Sequence, residues 1–162
     1  REPEEWLGAP RAKQYPLHLL TNQPVTRLHS QYDHGAVSRA SKIQGREPIR
    51  LNPQDAAARG IKAGDVVRVF NDRGACLAGA VLDEAIPSGI AQLSTGAWYD
   101  PATPGDPDAL CVHGNPNVLT RDKGTSKLGQ APSAMTCLVD VERFDGPLPP
   151  VRAFDPPPVV ER

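Results

Sequence analysis

The sequence predicts a mainly β fold with short helices. Three observations carry this prediction. Short runs of alternating apolar residues recur between clusters of Gly, Pro, Asn and Asp; N-D-R-G at 71–74 joins two of them as a hairpin; and one stretch near the centre has the start and stop signals of a helix. The first strand is L-H-L-L-T at 17–21, and a polar loop containing Pro24 follows it directly. Residues 32–46 mix Gly, Ser and charge without a period, so no conformation is assigned to them. P-I-R-L at 48–51 alternates as a short strand and runs into N-P-Q-D-A-A-A-R-G. There Asn52 supplies an N-cap, Pro53 fits the first helical position, and Gly60 stops a helix of about two turns. After a turn at 61–65, residues 65–70 alternate as a strand and 75–82 return as its hairpin partner. P-S-G at 87–89 turns the chain into a strand at 90–94. Residues 98–110, rich in Pro, Asp, Gly and Ala, form a surface excursion, and M-T-C-L-V-D-V at 135–141 is the last core strand.

This divides the chain into three parts. Residues 1–14 are a charged, Pro-containing lead-in or interdomain linker anchored by Trp6; 15–145 form the folded domain; 146–162 are a Pro-rich tail, expected as polyproline-like extension over the surface or disorder. A length of 162 residues fits one domain, and a hydrophobic fraction of 39% is enough for one core. Net charge -1 and pI ≈ 6.5 argue against a nucleic-acid footprint. No apolar run approaches the ~18 residues of a membrane span. The opening R-E-P-E-E-W lacks the basic start and apolar core of a signal peptide, so the chain is expected to be soluble. The only methionine is Met135 and residue 1 is Arg, so either processing removed an N-terminal region or the chain is an excised domain. Cys76, Cys111 and Cys137 form no C-x-x-C and read as small buried apolar residues.

Two loops stand out: N-Q-P-V-T-R-L-H-S-Q at 22–31 and H-G-N-P-N-V-L-T-R-D-K-G-T-S-K-L at 113–128. Each sets turn formers beside amide, hydroxyl, imidazole and cationic side chains, with no apolar period. Gln31, Asn115, Asn117 and Gln130 offer paired donors and acceptors, while Arg27, Lys123 and Lys127 offer charge to an anion. That mixture suits a nucleotide-like or pterin-like ligand; no metal site is expected. Each residue also has a plainer reading. His29 and His113, two lone histidines, read as core or turn residues bonded to backbone. Asn115 and Asn117 flank Pro116 as an Asx-type turn. Arg27 reads as a surface charge, and Trp98 and Tyr99 serve equally as core aromatics or pocket walls.

The two loops, with G-A-W-Y-D-P at 96–101 between them, resemble the C-terminal cap domain of the dimethyl sulfoxide reductase family of molybdenum enzymes. The match is nearest the branch of S- and N-oxide reductases that includes biotin sulfoxide and trimethylamine N-oxide reductases. It covers roughly residues 6–145 in three ordered motifs. The resemblance implies a double-psi β-barrel of the aspartate-decarboxylase type, which closes its sheet and leaves rim loops to carry function. It favours excision from a longer parent, and it implies molybdopterin guanine dinucleotide (bis-MGD) with molybdenum as cofactor. Carried over residue by residue, Asn22, Arg27, His29, Ser30 and Gln31 match the first contact loop. His113, Gly114, Asn115, Asn117, Ser126 and Gln130 match positions in or just after the second.

In that family the protein ligand to the metal, a serine in the oxide-reductase branch, belongs to another domain, so no catalytic residue is assigned here. The expected activity is oxygen-atom transfer in the parent, and the chain alone should not turn over substrate. Its expected partners are the parent's remaining domains, with the isolated domain a monomer. The expected compartment is the cytoplasm, on the biotin sulfoxide reductase side, or the periplasm if the parent carries a twin-arginine signal. The alternative is a non-enzymatic barrel that recognises another protein, as the N-domains of some AAA chaperone ATPases do. Such a surface should centre on aromatic or Arg anchors rather than amides and hydroxyls. A decarboxylase reading of the same barrel needs a self-processing Gly-Ser step, and the chain has no Gly-Ser.

Overall fold

Alternation along each strand decides which side chains face inward. The inward set is Leu17 and Leu19 of β1 (Leu17–Leu20), Ile49 and Leu51 of β2 (Pro48–Leu51), and Val67 and Val69 of β3 (Val66–Asn71). It continues with Cys76, Ala78 and Ala80 of β4 (Gly74–Leu82), Ala91 and Leu93 of β5 (Ile90–Leu93), and Cys137, Val139 and Val141 of β6 (Cys137–Arg143). The computed structural model describes residues 5–124, 126–131, 137–156 and 159. The strands close into a barrel in the order β1-β5-β2-β4-β3-β6, with β6 returning to β1. β1–β5 and β2–β4 are parallel pairs and the other four are antiparallel. This closed six-stranded barrel meets the architecture that the resemblance implies.

Inward residues meet in register across the barrel. Leu17 lies opposite Val139, Ile49 opposite both Ala80 and Leu93, and Val69 opposite both Cys76 and Val141. Each buried aliphatic side chain contributes roughly 1.5–3 kcal/mol. The small residues of β4 leave room for their larger partners, as a narrow barrel requires.

The hairpin at 71–74 is present, with Asn71 pairing Gly74. Its tip is anchored because the Asn71 amide donates to the carbonyls of Leu119 (2.9 Å) and Leu138 (3.1 Å). The helix α2 (Pro53–Ala57) starts as expected: the Asn52 side chain accepts from the Gln54 amide at 2.8 Å, and Pro53 occupies the first turn. The unassigned stretch contains α1 (Ala36–Ser41). Of the last predicted strand, residues 135 and 136 lie outside the described residues, and β6 runs on to Arg143. The excursion at 98–110 returns to the edge of β4, where Cys111 bridges both Pro101 and Cys76. All three cysteines are buried and unpaired.

The lead-in is anchored differently from the sequence reading. Trp6 is 41% exposed, and the lead-in is anchored instead by Glu5, which is 3% exposed. The Glu5 carboxylate accepts from the Leu138 amide at 2.9 Å and from Arg73 at 2.7 and 3.0 Å, with Arg11 and Arg121 at 3.8 and 3.6 Å. Arg11 in turn pairs with Asp72 at the hairpin tip. A carboxylate can satisfy a strand amide and an arginine together, which an indole cannot. The described part of the tail is also docked. The Asp100 carboxylate accepts from the amides of Arg152 (2.6 Å) and Ala153 (2.9 Å), Arg46 donates to the Pro149 carbonyl at 2.6 Å, and the Phe154 ring fills the space beside Trp98 and His113.

Burial opposes ionisation of Glu5, but the Arg73 and Leu138 hydrogen bonds and the Arg11 charge outweigh it, holding the carboxyl below its ordinary 4.5. A depressed folded value means that this stability is complete above the ordinary value and is lost as pH falls through the folded one. Glu5→Ala should therefore cost about 3 kcal/mol in urea unfolding at pH 7, because the Arg73 and Leu138 donors lose their acceptor. The difference between wild type and variant should shrink as the pH is lowered below 4.5.

Candidate functional site

Three loops converge at one rim of the barrel. The first leaves β1 and is held at its start by Asn22, whose carbonyl accepts from the Thr95 amide at 2.9 Å and whose side chain accepts from Ser94 at 3.2 Å. It then tightens into a turn closed by Gln31 N–H to the Leu28 carbonyl at 2.9 Å, with His29 (φ 50°) and Tyr32 (φ 64°) in left-handed conformations. The second loop, 95–99, lies directly beneath. Gly96 has φ 91°, and a side chain there would fall on the His29 carbonyl, so only glycine permits this approach. Trp98 ties the loops together: its indole N–H donates to the Ser30 carbonyl (2.8 Å) and its backbone amide to Asp33 (2.9 Å). Its carbonyl lies 2.9 Å from His113 Nδ1 in the third loop.

That third loop enters through Gly114, whose φ of 96° brings its backbone against Glu47. Asn115 then caps a 3-10 turn at Pro116–Val118, its side chain accepting from the Asn117 amide at 2.9 Å. Between the loops lies an open depression of about 410 Å³. His29, Ser30, Asn115 and Asn117 line it together with Thr95 to Tyr99.

Beneath the depression is a buried cluster of charge. Arg27 grips Glu47 through two hydrogen bonds (2.9 and 3.1 Å), donates to the Thr95 carbonyl at 2.7 Å, and lies 3.5 Å from Asp33. Lys42, just past α1, lies 2.9 Å from both Asp33 and Glu47, and Ser38 of α1 donates to Asp33 at 3.0 Å. These four charged side chains are almost wholly buried, two of each sign. Burial alone would raise the Asp33 carboxyl, yet Lys42 and the Trp98 amide hold it below its ordinary 3.8. His113 is fully buried, with Phe154 edge-on at 4.9 Å. Burial, with the nearby Lys42 charge, lowers its pKa from the ordinary 6.5, so the ring is neutral at pH 7. Since a carbonyl only accepts, the proton of that neutral ring is on Nδ1.

The structure thus sorts the sequence-predicted residues into three groups. His29, Ser30, Asn115 and Asn117 are brought together, and Asn115 serves both the turn and the depression. Arg27, His113 and Gly114 lie beneath. The guanidinium of Arg27 is spent on Glu47 and Thr95, and His113 takes its plainer reading as a core histidine. Asn22 faces a separate depression of about 270 Å³ on the other side of the loop. Gln31 is exposed in its tight turn, and Ser126 and Gln130 share another exposed turn in which Ser126 accepts from the Gly129 amide at 2.8 Å. Sequence reasoning missed Asp33, Lys42 and Glu47, which no local pattern marks. It also missed Gln23, whose side chain clasps His29.

Replacing Arg27 by Leu should destabilise the chain by roughly 3–5 kcal/mol, because Glu47 is left buried with one cation shared between two carboxylates. The double variant Arg27→Leu, Glu47→Leu keeps the Lys42–Asp33 pair and should recover most of that loss. Urea unfolding of both variants checks the pattern.

A family model described as "Molydopterin dinucleotide binding domain" matches residues 17–138, which include the depression and the cluster beneath it. Among curated relatives, the trimethylamine-N-oxide reductase of Salmonella typhi is 52% identical over 151 residues, 93% of this chain and 18% of that protein. Trimethylamine-N-oxide reductase 1 of Escherichia coli (strain K12) is 54% identical over 140 residues, 86% of this chain and 16% of that protein. The chain therefore spans less than a fifth of the length of these relatives. Among solved structures, acetylene hydratase from Pelobacter acetylenicus superposes with a TM-score of 0.71 over 89% of this chain and 21% of that one. Its 20% identity makes this a likeness of fold alone. With the family model covering most of the barrel and both polar loops, the chain belongs to the molybdopterin dinucleotide-binding domain family.

Proposed function

We propose that the depression between the three loops holds part of a molybdopterin guanine dinucleotide, and that the chain is the cofactor-binding domain of a molybdenum oxidoreductase acting on N- or S-oxides. The observation that carries this reading is the convergence of His29, Ser30, Asn115 and Asn117 on one polar depression. The donor set fits the group. Pterin and guanine edges need paired donors and acceptors, which Asn115 and Asn117 offer, while pyrophosphate needs hydroxyl or N–H donors, which Ser30 and His29 offer. Asn22, Gln31, Ser126 and Gln130 take outlying contacts along an extended ligand. Arg27, Gly114 and His113 act by holding the loops.

When bound, the cofactor supplies oxygen-atom transfer at molybdenum, the oxygen of the oxide leaving as water with two electrons and two protons. The chain's own residues bind and orient the cofactor. The remaining domains of a longer chain complete the enzyme, so this domain alone is inactive and monomeric. Relatives named trimethylamine-N-oxide reductases favour an N-oxide as substrate, a choice that the sequence alone leaves open. The proposed compartment is the cytoplasm, or the periplasm where the longer chain is exported. The protein-recognition alternative is not favoured, because the family model that matches most of the barrel is a dinucleotide-binding one, and amide, hydroxyl and imidazole groups line the depression beside Trp98 and Tyr99.

GMP, a stable fragment of the cofactor, provides the test in an NMR titration of the chain. Amide shifts should concentrate at residues 29–30, 95–99 and 115–117, and an unchanged spectrum at millimolar GMP would sink the proposed half-site. In the longer enzyme, Ser30→Ala and Asn115→Ala should each weaken cofactor retention about three- to tenfold, the worth of one hydrogen bond. The melting temperature should stay close to wild type for Ser30→Ala and fall slightly for Asn115→Ala, which also loses the cap of the Pro116–Val118 turn.

A further inference from the structure

We propose that Gln23 fixes the tautomer of His29, so that its ring presents an Nε2–H donor to an oxygen acceptor of the bound dinucleotide. The inference rests on the cofactor-binding reading above and adds a positioning residue to it. The Gln23 side chain touches His29 twice. Its Oε1 accepts from the His29 backbone amide at 3.1 Å, and its Nε2 lies 2.7 Å from the ring Nδ1.

These contacts leave one arrangement of protons. A backbone N–H can only donate, so the oxygen of the Gln23 amide must face it, and the NH2 group must face the ring. An amide NH2 cannot accept, so Nδ1 must carry its lone pair and the proton of the neutral ring must be on Nε2. The backbone of His29 is itself fixed beside this contact. The residue is held at φ 50° by the Leu28–Gln31 turn, and Gly96 is packed beneath its carbonyl. Since His29 lines the depression beside Ser30 and Asn115, the ring meets the ligand as a donor. The other site histidine has the opposite tautomer, because His113 Nδ1 faces the Trp98 carbonyl at 2.9 Å.

The test uses the 162-residue chain, whose closed barrel carries its own core, with ¹⁵N-labelled imidazoles; its four histidines give few enough signals to assign. At pH 8, His29 should be protonated on Nε2 and His113 on Nδ1. In Gln23→Glu both carboxylate oxygens accept, so the His29 proton should move to Nδ1 while His113 is unchanged. A His29 tautomer that is Nδ1–H in wild type, or that ignores Gln23→Glu, overturns the proposal. The ligand half is tested in the longer enzyme with the uncharged variant Gln23→Leu, which should retain the cofactor about threefold less well, the loss of an oriented hydrogen bond. Unchanged retention alongside a shifted tautomer overturns the donor role of His29. Ser30→Ala and Asn115→Ala would in that case still report on the cofactor-binding reading itself.

Discussion

The position of the site depends on one buried electrostatic balance, the contact of Arg27 and Lys42 with Asp33 and Glu47. Each member comes from a separate segment: the loop after β1, the turn before α1, the residue just past α1, and the residue that enters β2. None of these segments has enough apolar surface to fix itself. Removing charge from water is costly, so four such groups stay buried only when each finds its opposite partner, and that requirement sets the geometry of the whole rim. The Thr95 carbonyl and the Trp98 amide are drawn into the same balance, which brings the second loop under the first. Arg27 thereby clamps the first loop to Glu47 and to the second loop.

Where local chemistry suffices, the fold was legible in the sequence. The strands could be read because the alternating faces of Leu17 and Leu19 or Val67 and Val69 are visible one residue at a time, and α2 because Asn52 and Pro53 mark its start. Helix α1 could not, since its residues A-V-S-R-A-S show no apolar stripe and Gly35 before it provides no side-chain cap. The anchors of the two ends were not legible for a related reason. Glu5 meets Leu138, and Asp100 meets Arg152, only across the folded barrel, and neither pairing leaves a local trace.

The candidate site was legible only in part. Composition located both polar loops, because amides, hydroxyls and turn formers without a period have few other uses. Composition did not sort the residues that line the depression from those beneath it. His29 and His113 are the same residue type in similar company, yet one lines the depression and the other lies under Phe154. That distinction is made by Trp98, whose indole reaches Ser30 and whose carbonyl faces His113.

Closure of the barrel also sets an order of assembly. β1 at residues 17–20 cannot complete its pairing until β6 at 137–143 has been synthesised, and the Trp98 and His113 rings lack their neighbour until Phe154 emerges. Contacts so distant in sequence form late, since the chain between them must be ordered first. During translation the rim loops are therefore made long before the contacts that hold them in place. A rim built in this way is complete only once β6 and Phe154 have left the ribosome.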